Sequence, residues 1–259
     1  MMRPGAAQID ENPQLRAELL NILGGGSPRF AHMALSRKIH LLKGAKRIVA
    51  SDGTIIKFVY AQRALEWMAN HTVAKGSVLI RHPAAVVASQ LHHPYTKDGE
   101  PIQHPEWSDE AILNMHPIIS KDEMIRWPAL KEFQSKLVTP VERLAVTACL
   151  DIKSVLESSA ACQKYPLVLY EALKSKPDNF IALAESIGLE VVNDLREEVV
   201  SSRSKTTSDQ TGKRGVARLS ESDLSSVQSI IELLDLSFFC ADGSVDFDYF
   251  YDTFPVVLG

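Results

Sequence analysis

The chain has 259 residues, 45% apolar and 23% charged, with a formal net charge of -4 and a sequence pI of about 6.1. That is enough chain for one sizeable core. The acid-leaning balance excludes a dedicated nucleic-acid binder but leaves room for a local basic patch that holds phosphate. Cys149, Cys162 and Cys240 are odd in number, widely spaced and fit no zinc spacing, which points to a reducing compartment. No apolar run approaches the ~18 residues of a membrane span. The opening MMRPGAAQIDENPQ carries no apolar signal core, so the sequence predicts a cytoplasmic protein.

In chain order, Asn12-Pro13 predicts a helix start, followed by an apolar stripe of Leu15, Leu19, Leu20 and Leu23 that Gly24-Gly25-Gly26 stops. The segment GGGSPRF reads as a linker, because it follows a helix and lacks the Lys-Ser or Lys-Thr of a phosphate loop. Strands are predicted at Arg47–Ala50, Thr54–Tyr60, Ser77–Ile80 and Pro166–Tyr170, as near-continuous apolar runs of the kind buried on both faces. Helices are predicted at Ala61–His71, Ala84–Leu91 and Thr139–Ser158. The last opens on a capping box, Thr139-Pro140-Val141-Glu142. Its expected buried stripe is Val141, Leu144, Ala145, Ala148, Ile152, Val155 and Leu156. This alternation predicts a single α/β domain over residues 1–259 with a mostly parallel sheet. Residues 92–126, rich in proline, histidine and acid, read as an excursion carrying short helices and forming a substrate surface. Residues 201–219 are a polar, flexible segment. A final helix starts at Ser220, with Asp223 three residues on, and is expected to bury Leu224, Val227, Ile231 and Leu234. The aromatic tail Phe238–Phe254 is expected to pack down.

The chemistry concentrates in Ser77–Gln90, SVLIRHPAAVVASQ. A strand ends at Arg81, Pro83 starts a helix, and Ser89 lies eight residues after the arginine. A guanidinium beside a helix N-terminus makes an anion site. The helix is expected to supply free N–H groups and a positive dipole end, and the arginine charge-assisted bidentate bonds. The plainer alternative is a surface arginine on an ordinary strand-turn-helix unit. Lys57 lies inside TIIKFVY, where burying an ammonium is expensive; either it serves a site or it emerges into solvent at the strand's end. His92, His93, His104 and His116 match no compact zinc pattern, so no metal site is predicted. There is no G-x-S-x-G and no G-x-x-x-x-G-K-[ST].

The run from Arg81 through His82-Pro83 to Ser89 resembles the 3′-phosphate motif of sulfotransferases that use 3′-phosphoadenosine 5′-phosphosulfate (PAPS). Leu169-Tyr170-Glu171-Ala172-Leu173, Pro177 and Ile187-Gly188-Leu189 are similar to the family's later signature, and Glu142-Arg143 to the helix before it. Ser204, Thr206 and Thr207 resemble the region that closes over the nucleotide, and Lys213-Arg214-Gly215 a basic-glycine element near the 3′-phosphate. The resemblance covers roughly Met1 to Leu236 and is to bacterial-type members acting on small, polyketide, lipid or sugar acceptors.

The resemblance implies a P-loop NTPase-like three-layer fold, with a mostly parallel sheet flanked by helices. It implies sulfuryl transfer from PAPS to a hydroxyl or amine on a small-molecule, lipid or sugar acceptor, leaving adenosine 3′,5′-diphosphate. It makes Arg81, Ser89, Tyr170, Thr206, Thr207, Lys213, Arg214 and Gly215 nucleotide-binding, and Lys57 the cation near the chemistry. Two departures stand out. Val59 occupies the position where cytosolic members place a histidine base, and nothing before Lys57 matches the family's 5′-phosphosulfate loop. The chain therefore reads as a truncated or degenerate member with weak or lost turnover, or as a non-catalytic nucleotide-binding or scaffold homologue. The missing loop strand is expected to leave an exposed sheet face, a replacement strand or a homo-oligomer.

Overall fold

The structure is a computed structural model that describes residues 9–23, 62–92, 94–97, 100–103, 108–114, 119–175, 178–188 and 216–254. They belong to two compact units, within Arg3–Ala74 and Lys75–Gly259. The predicted strands at 47–50 and 54–60, the glycine run at 24–26 and residues 201–215 of the polar segment lie outside the described residues.

In the first unit, α1 (Pro13–Leu23) starts where Asn12-Pro13 predicts, and Arg16 N–H donates to the Asn12 carbonyl at 2.9 Å. Of its expected stripe, the Leu15 and Leu23 side chains lie outside the described residues. Leu19 packs against Ile9, Ala64, Trp67 and Met68, whereas Leu20 is exposed. Neighbouring helix positions are about 100° apart, so both cannot face one small cluster. A 3₁₀ turn, Gln62–Ala64, then leads into α2 (Leu65–His71). Trp67 anchors this cluster, its indole Nε1–H donating to Asp10 Oδ1 at 2.8 Å, which satisfies the polar edge of a buried ring.

The second unit begins with β1 (Val78–Ile80) and α3 (Pro83–Leu91), followed by β2 (Pro94–Lys97) and β3 (Glu100–Gln103). The short helices α4 (Asp109–Leu113), α5 (Lys121–Arg126) and α6 (Ala129–Phe133) come next. Then come α7 (Pro140–Leu156), α8 (Ser159–Lys164), β4 (Leu167–Leu169), α9 (Tyr170–Ser175), α10 (Asp178–Ser186), α11 (Glu221–Leu233) and α12 (Phe247–Thr253). β1 and β4 pair in parallel, Val78 with Leu167, Leu79 with Val168 and Ile80 with Leu169. The described residues thus combine many helices with a two-stranded parallel sheet, which is compatible with the α/β class.

Two expectations about the strands are corrected. β4 is buried along its whole length, but β1 is not, because Leu79 between two buried neighbours is exposed. The excursion holds the expected short helices α4 and α5, but also an antiparallel hairpin that pairs Lys97 with Glu100 and Pro94 with Gln103. The two residues between these strands are Asp98-Gly99, a pair favoured in two-residue hairpin loops.

The core is organised around α7. The predicted capping box is present: Thr139 Oγ1 accepts from Glu142 N–H at 3.2 Å, and Glu142 Oε2 accepts from Thr139 N–H at 2.8 Å. Arg143 donates to the Leu137 and Leu113 carbonyls, tying α7 to the end of α4. The buried surface is wider than one stripe, since Val146, Thr147, Cys149, Leu150 and Asp151 are buried too. α7 packs against α3, α11 and α4 at once, and a helix enclosed on several sides cannot remain polar on the opposite face. Leu156, in its last turn, is only half-buried.

The capping box of α11 also forms, between Ser220 and Asp223. Val227, Ile231 and Leu234 are buried as predicted, with Ile230 beside them, while Leu224 in the first turn is half-buried. The tail packs down. Phe238, Phe239 and Phe250 are fully buried, with the Phe238 ring 4.3 Å from Phe239 and 5.1 Å from Phe250. A tight hairpin bridges Phe239 to Val245. Its Gly243 has φ +82, and a Cβ there would lie 2.7 Å from Val216 Cγ2, so the turn needs a residue without a side chain.

Candidate anion site at the ends of two parallel strands

Arg81 directly follows Ile80, and Tyr170 directly follows Leu169. Because those strand ends are register partners, the fold places Arg81 and Tyr170 side by side at the carboxyl edge of the sheet, where open α/β sheets bind ligands. The guanidinium carbon of Arg81 stands 5.0 Å from the centroid of the Tyr170 ring, within cation–π range. Arg81 Nε and Nη2 are both shielded from solvent and have no hydrogen-bond partner among the described residues. These two nitrogens share one edge of the guanidinium, the edge that takes a carboxylate or phosphate in bidentate fashion. Buried polar groups are rarely left unpaired, so the edge has the chemistry of a ligand contact.

Beside it, Glu171 is buried in the first turn of α9. Its Oε1 accepts from His82 N–H at 3.2 Å, and its Oε2 has no hydrogen-bond partner among the described residues. Burial pushes this carboxyl above the usual range, while its own backbone N–H, that of His82 and the Arg81 charge pull the other way.

The helix donors differ from the sequence expectation. Pro83 has no N–H, and Ala84 N–H donates to His82 Nδ1 at 3.1 Å. Ala85 and Val86 N–H both donate to the His82 carbonyl, at 3.0 and 3.1 Å. The first turn of α3 therefore offers no free N–H, because proline removes one donor and the imidazole turns back onto the next. What remains for an anion is the Arg81 edge and the positive end of the helix. Ser89 lies on the least buried face of α3, with Val86 and Gln90, about 9 Å along the axis from Pro83.

The structure thus brings Arg81 and Tyr170 together and puts Ser89 on the adjoining helix. Lys57, Ser204, Thr206, Thr207, Lys213, Arg214 and Gly215 lie outside the described residues, as do His93, His104 and His116. Sequence reasoning gave no role to the Glu171 carboxylate or the His82 ring. The signal for His82 was its place directly before Pro83, the N-cap position. Among the described residues no cluster of His, Cys, Asp and Glu is placed to hold a metal ion, and no helix is long and apolar enough to cross a membrane. No family model matches the chain, and no curated protein or solved structure is detectably similar to it.

Proposed function

We propose that the chain is a sulfotransferase-family protein with a P-loop NTPase-like three-layer fold, and that the Arg81 edge binds the 3′-phosphate of PAPS with Ser89 as a second ligand. The observation that carries this reading is the Nε–H and Nη2–H pair of Arg81, without a hydrogen-bond partner among the described residues, at the end of a parallel strand. A phosphate accepts two such parallel bonds, and the Tyr170 ring holds the guanidinium plane from one side. Further support comes from the order of the remaining motifs. Tyr170-Glu171 opens a helix directly after β4, and Gly188, at φ +82, follows α10. Thr206, Thr207, Lys213, Arg214 and Gly215 would complete the nucleotide site, with Lys57 as the cation near the sulfuryl group.

Sulfuryl transfer, like phosphoryl transfer, depends on position and charge stabilisation more than on covalent help. Anchoring the distant 3′-phosphate at Arg81 would position the reacting end for an acceptor hydroxyl or amine in line with the sulfur. The reading predicts nucleotide binding at the Arg81 edge, with PAPS turnover measured separately. The deciding experiment is calorimetric titration with adenosine 3′,5′-diphosphate, beside Arg81→Ala. Binding that the variant loses supports the reading, and binding without PAPS turnover narrows it to a nucleotide-binding or scaffold role. No binding by the folded wild type overturns it.

A further inference from the structure

His82 is 2% exposed and joins three elements. Its backbone N–H donates to Glu171 Oε1 at the start of α9. Its Nδ1 accepts from Ala84 N–H, capping α3. Its Nε2 lies 3.0 Å from the Cys240 carbonyl in the C-terminal hairpin. Because Nδ1 is an acceptor, the ring proton is on Nε2, which donates to that carbonyl. Phe239 packs edge-on against the ring at 5.0 Å between centroids. The Cys240 carbonyl also accepts from Gly243 N–H at 3.0 Å, so the imidazole grips the turn itself.

Asp, Asn, Ser and Thr are commoner helix caps, but none is long enough to cap α3 and also reach a carbonyl on the far side of the ring. A neutral imidazole also adds no negative charge beside Arg81. We infer that His82 is a positioning residue that fastens the Arg81 end of β1 to the C-terminal hairpin, so that the hairpin holds the Arg81 edge in its binding direction. Its functional half rests on the reading of Arg81 as an anion site; the clamp itself does not. The charged groups facing the ring are Arg81 and Asp242, with Glu171 against its backbone. Burial, the largest effect, lowers the ring's pKa to about 4, which keeps it neutral near pH 7.

The test uses the full chain, uniformly ¹⁵N-labelled, as wild type, His82→Asn and His82→Ala. In the wild type, imidazole NMR should show the Nε2–H tautomer, persisting to about pH 4. An Nδ1–H tautomer, or titration near the ordinary value, overturns the clamp. Asparagine can still cap α3 but cannot reach Cys240. His82→Asn should therefore keep α3 amide protection, speed exchange of the Gly243 and Asp246 amides about tenfold, and move the Arg81 Nε–H resonance. His82→Ala should lose protection in both α3 and the hairpin. Unchanged hairpin exchange, or an unmoved Arg81 resonance in His82→Asn, overturns the inference. Titration with adenosine 3′,5′-diphosphate should show about tenfold weaker binding for His82→Asn. Undiminished binding beside a dead Arg81→Ala would overturn the positioning role. A wild type that binds no nucleotide would remove the sulfotransferase reading, leaving exchange and resonance to decide the clamp.

Discussion

Leu79 and Val168 are register partners on β1 and β4 and face the same side of the sheet, yet Val168 is 1% exposed and Leu79 is 51% exposed. Leu173, Phe180 and Leu183 of α9 and α10 cover Val168, and this cover does not shield its partner. Leu79→Thr should then leave stability within about 0.5 kcal/mol of wild type, as surface substitutions do, with β propensity retained. Val168→Ala should cost about 2 kcal/mol through lost burial and the cavity left behind. Urea unfolding of both variants checks this. Equal costs would mean that Leu79 is covered in solution, by a second copy or by residues outside those described. The comparison is informative because an uncovered leucine in a strand is a site for association.

The C-terminus of α11 carries a different strain. Asp235 has φ 54, its N–H donates to the Glu232 carbonyl, and Leu236 N–H donates to the Ile231 carbonyl, both at 3.0 Å. This is the hydrogen-bond pattern of a Schellman cap, in which the left-handed position favours glycine. An L-residue there costs roughly 1–2 kcal/mol, less for aspartate. Asp235→Gly should therefore raise unfolding free energy by up to about 1 kcal/mol, with the buried Leu236 holding the cap in place. A loss of stability would mean that the aspartate makes a compensating contact in solution.

The capping boxes of α7 and α11 were legible because their signals are local: Thr139 with Glu142 and Ser220 with Asp223 each need only four consecutive residues. β4 was legible because both its faces are buried. The exposure of Leu79 was not, since an apolar run reports strand propensity and not whether a second layer lies over it. The hairpin from Pro94 to Gln103 had a readable signal in Asp98-Gly99, outweighed by the prolines and histidines around it. At the candidate site, Arg81 and Ser89 were visible as residue types in a pattern. The engagement of the first α3 amides by His82 was not, because it depends on the direction of the imidazole. The Cys240 carbonyl is 158 residues away from His82, and no local pattern announces that contact.

Arg81 should show opposite effects on stability and on binding. Two buried guanidinium N–H groups that have no partner among the described residues cost roughly 1–3 kcal/mol each, so Arg81→Met should be about 1 kcal/mol more stable to urea while abolishing binding of adenosine 3′,5′-diphosphate. Arg81→Lys keeps the charge but not the two-donor edge. It should bind on the order of tenfold to a hundredfold more weakly than wild type, as expected for a lost charge-assisted hydrogen bond. If Arg81→Lys binds as well as wild type, the site reads charge alone and the bidentate geometry is irrelevant. If Arg81→Met is destabilised, the edge is already satisfied in the free protein.

Acid stability should reveal His82 and Glu171 as opposing groups. The folded pKa of His82 is about 4 against an ordinary 6.5, so between those values the unfolded chain binds more protons and stability falls with falling pH. Its contribution is fully present above 6.5 and lost on the way to pH 4, amounting to ~3 kcal/mol. Glu171 runs the other way. Its folded pKa is raised above the ordinary 4.5, so its contribution is present below that value and is lost as pH rises through the folded one. Going down in pH, Glu171 thus offsets part of the His82 loss where the two windows overlap. Glu171→Gln keeps an acceptor for His82 N–H but removes the titration, so its stability should fall more steeply than wild type between pH 6.5 and 4.5. His82→Asn removes the histidine loss and should leave the Glu171 gain exposed as pH falls. Urea unfolding of the three proteins at half-unit pH steps measures both slopes. Parallel curves for wild type and Glu171→Gln would mean that Glu171 ionises normally, and that solvent reaches the carboxyl beside Arg81.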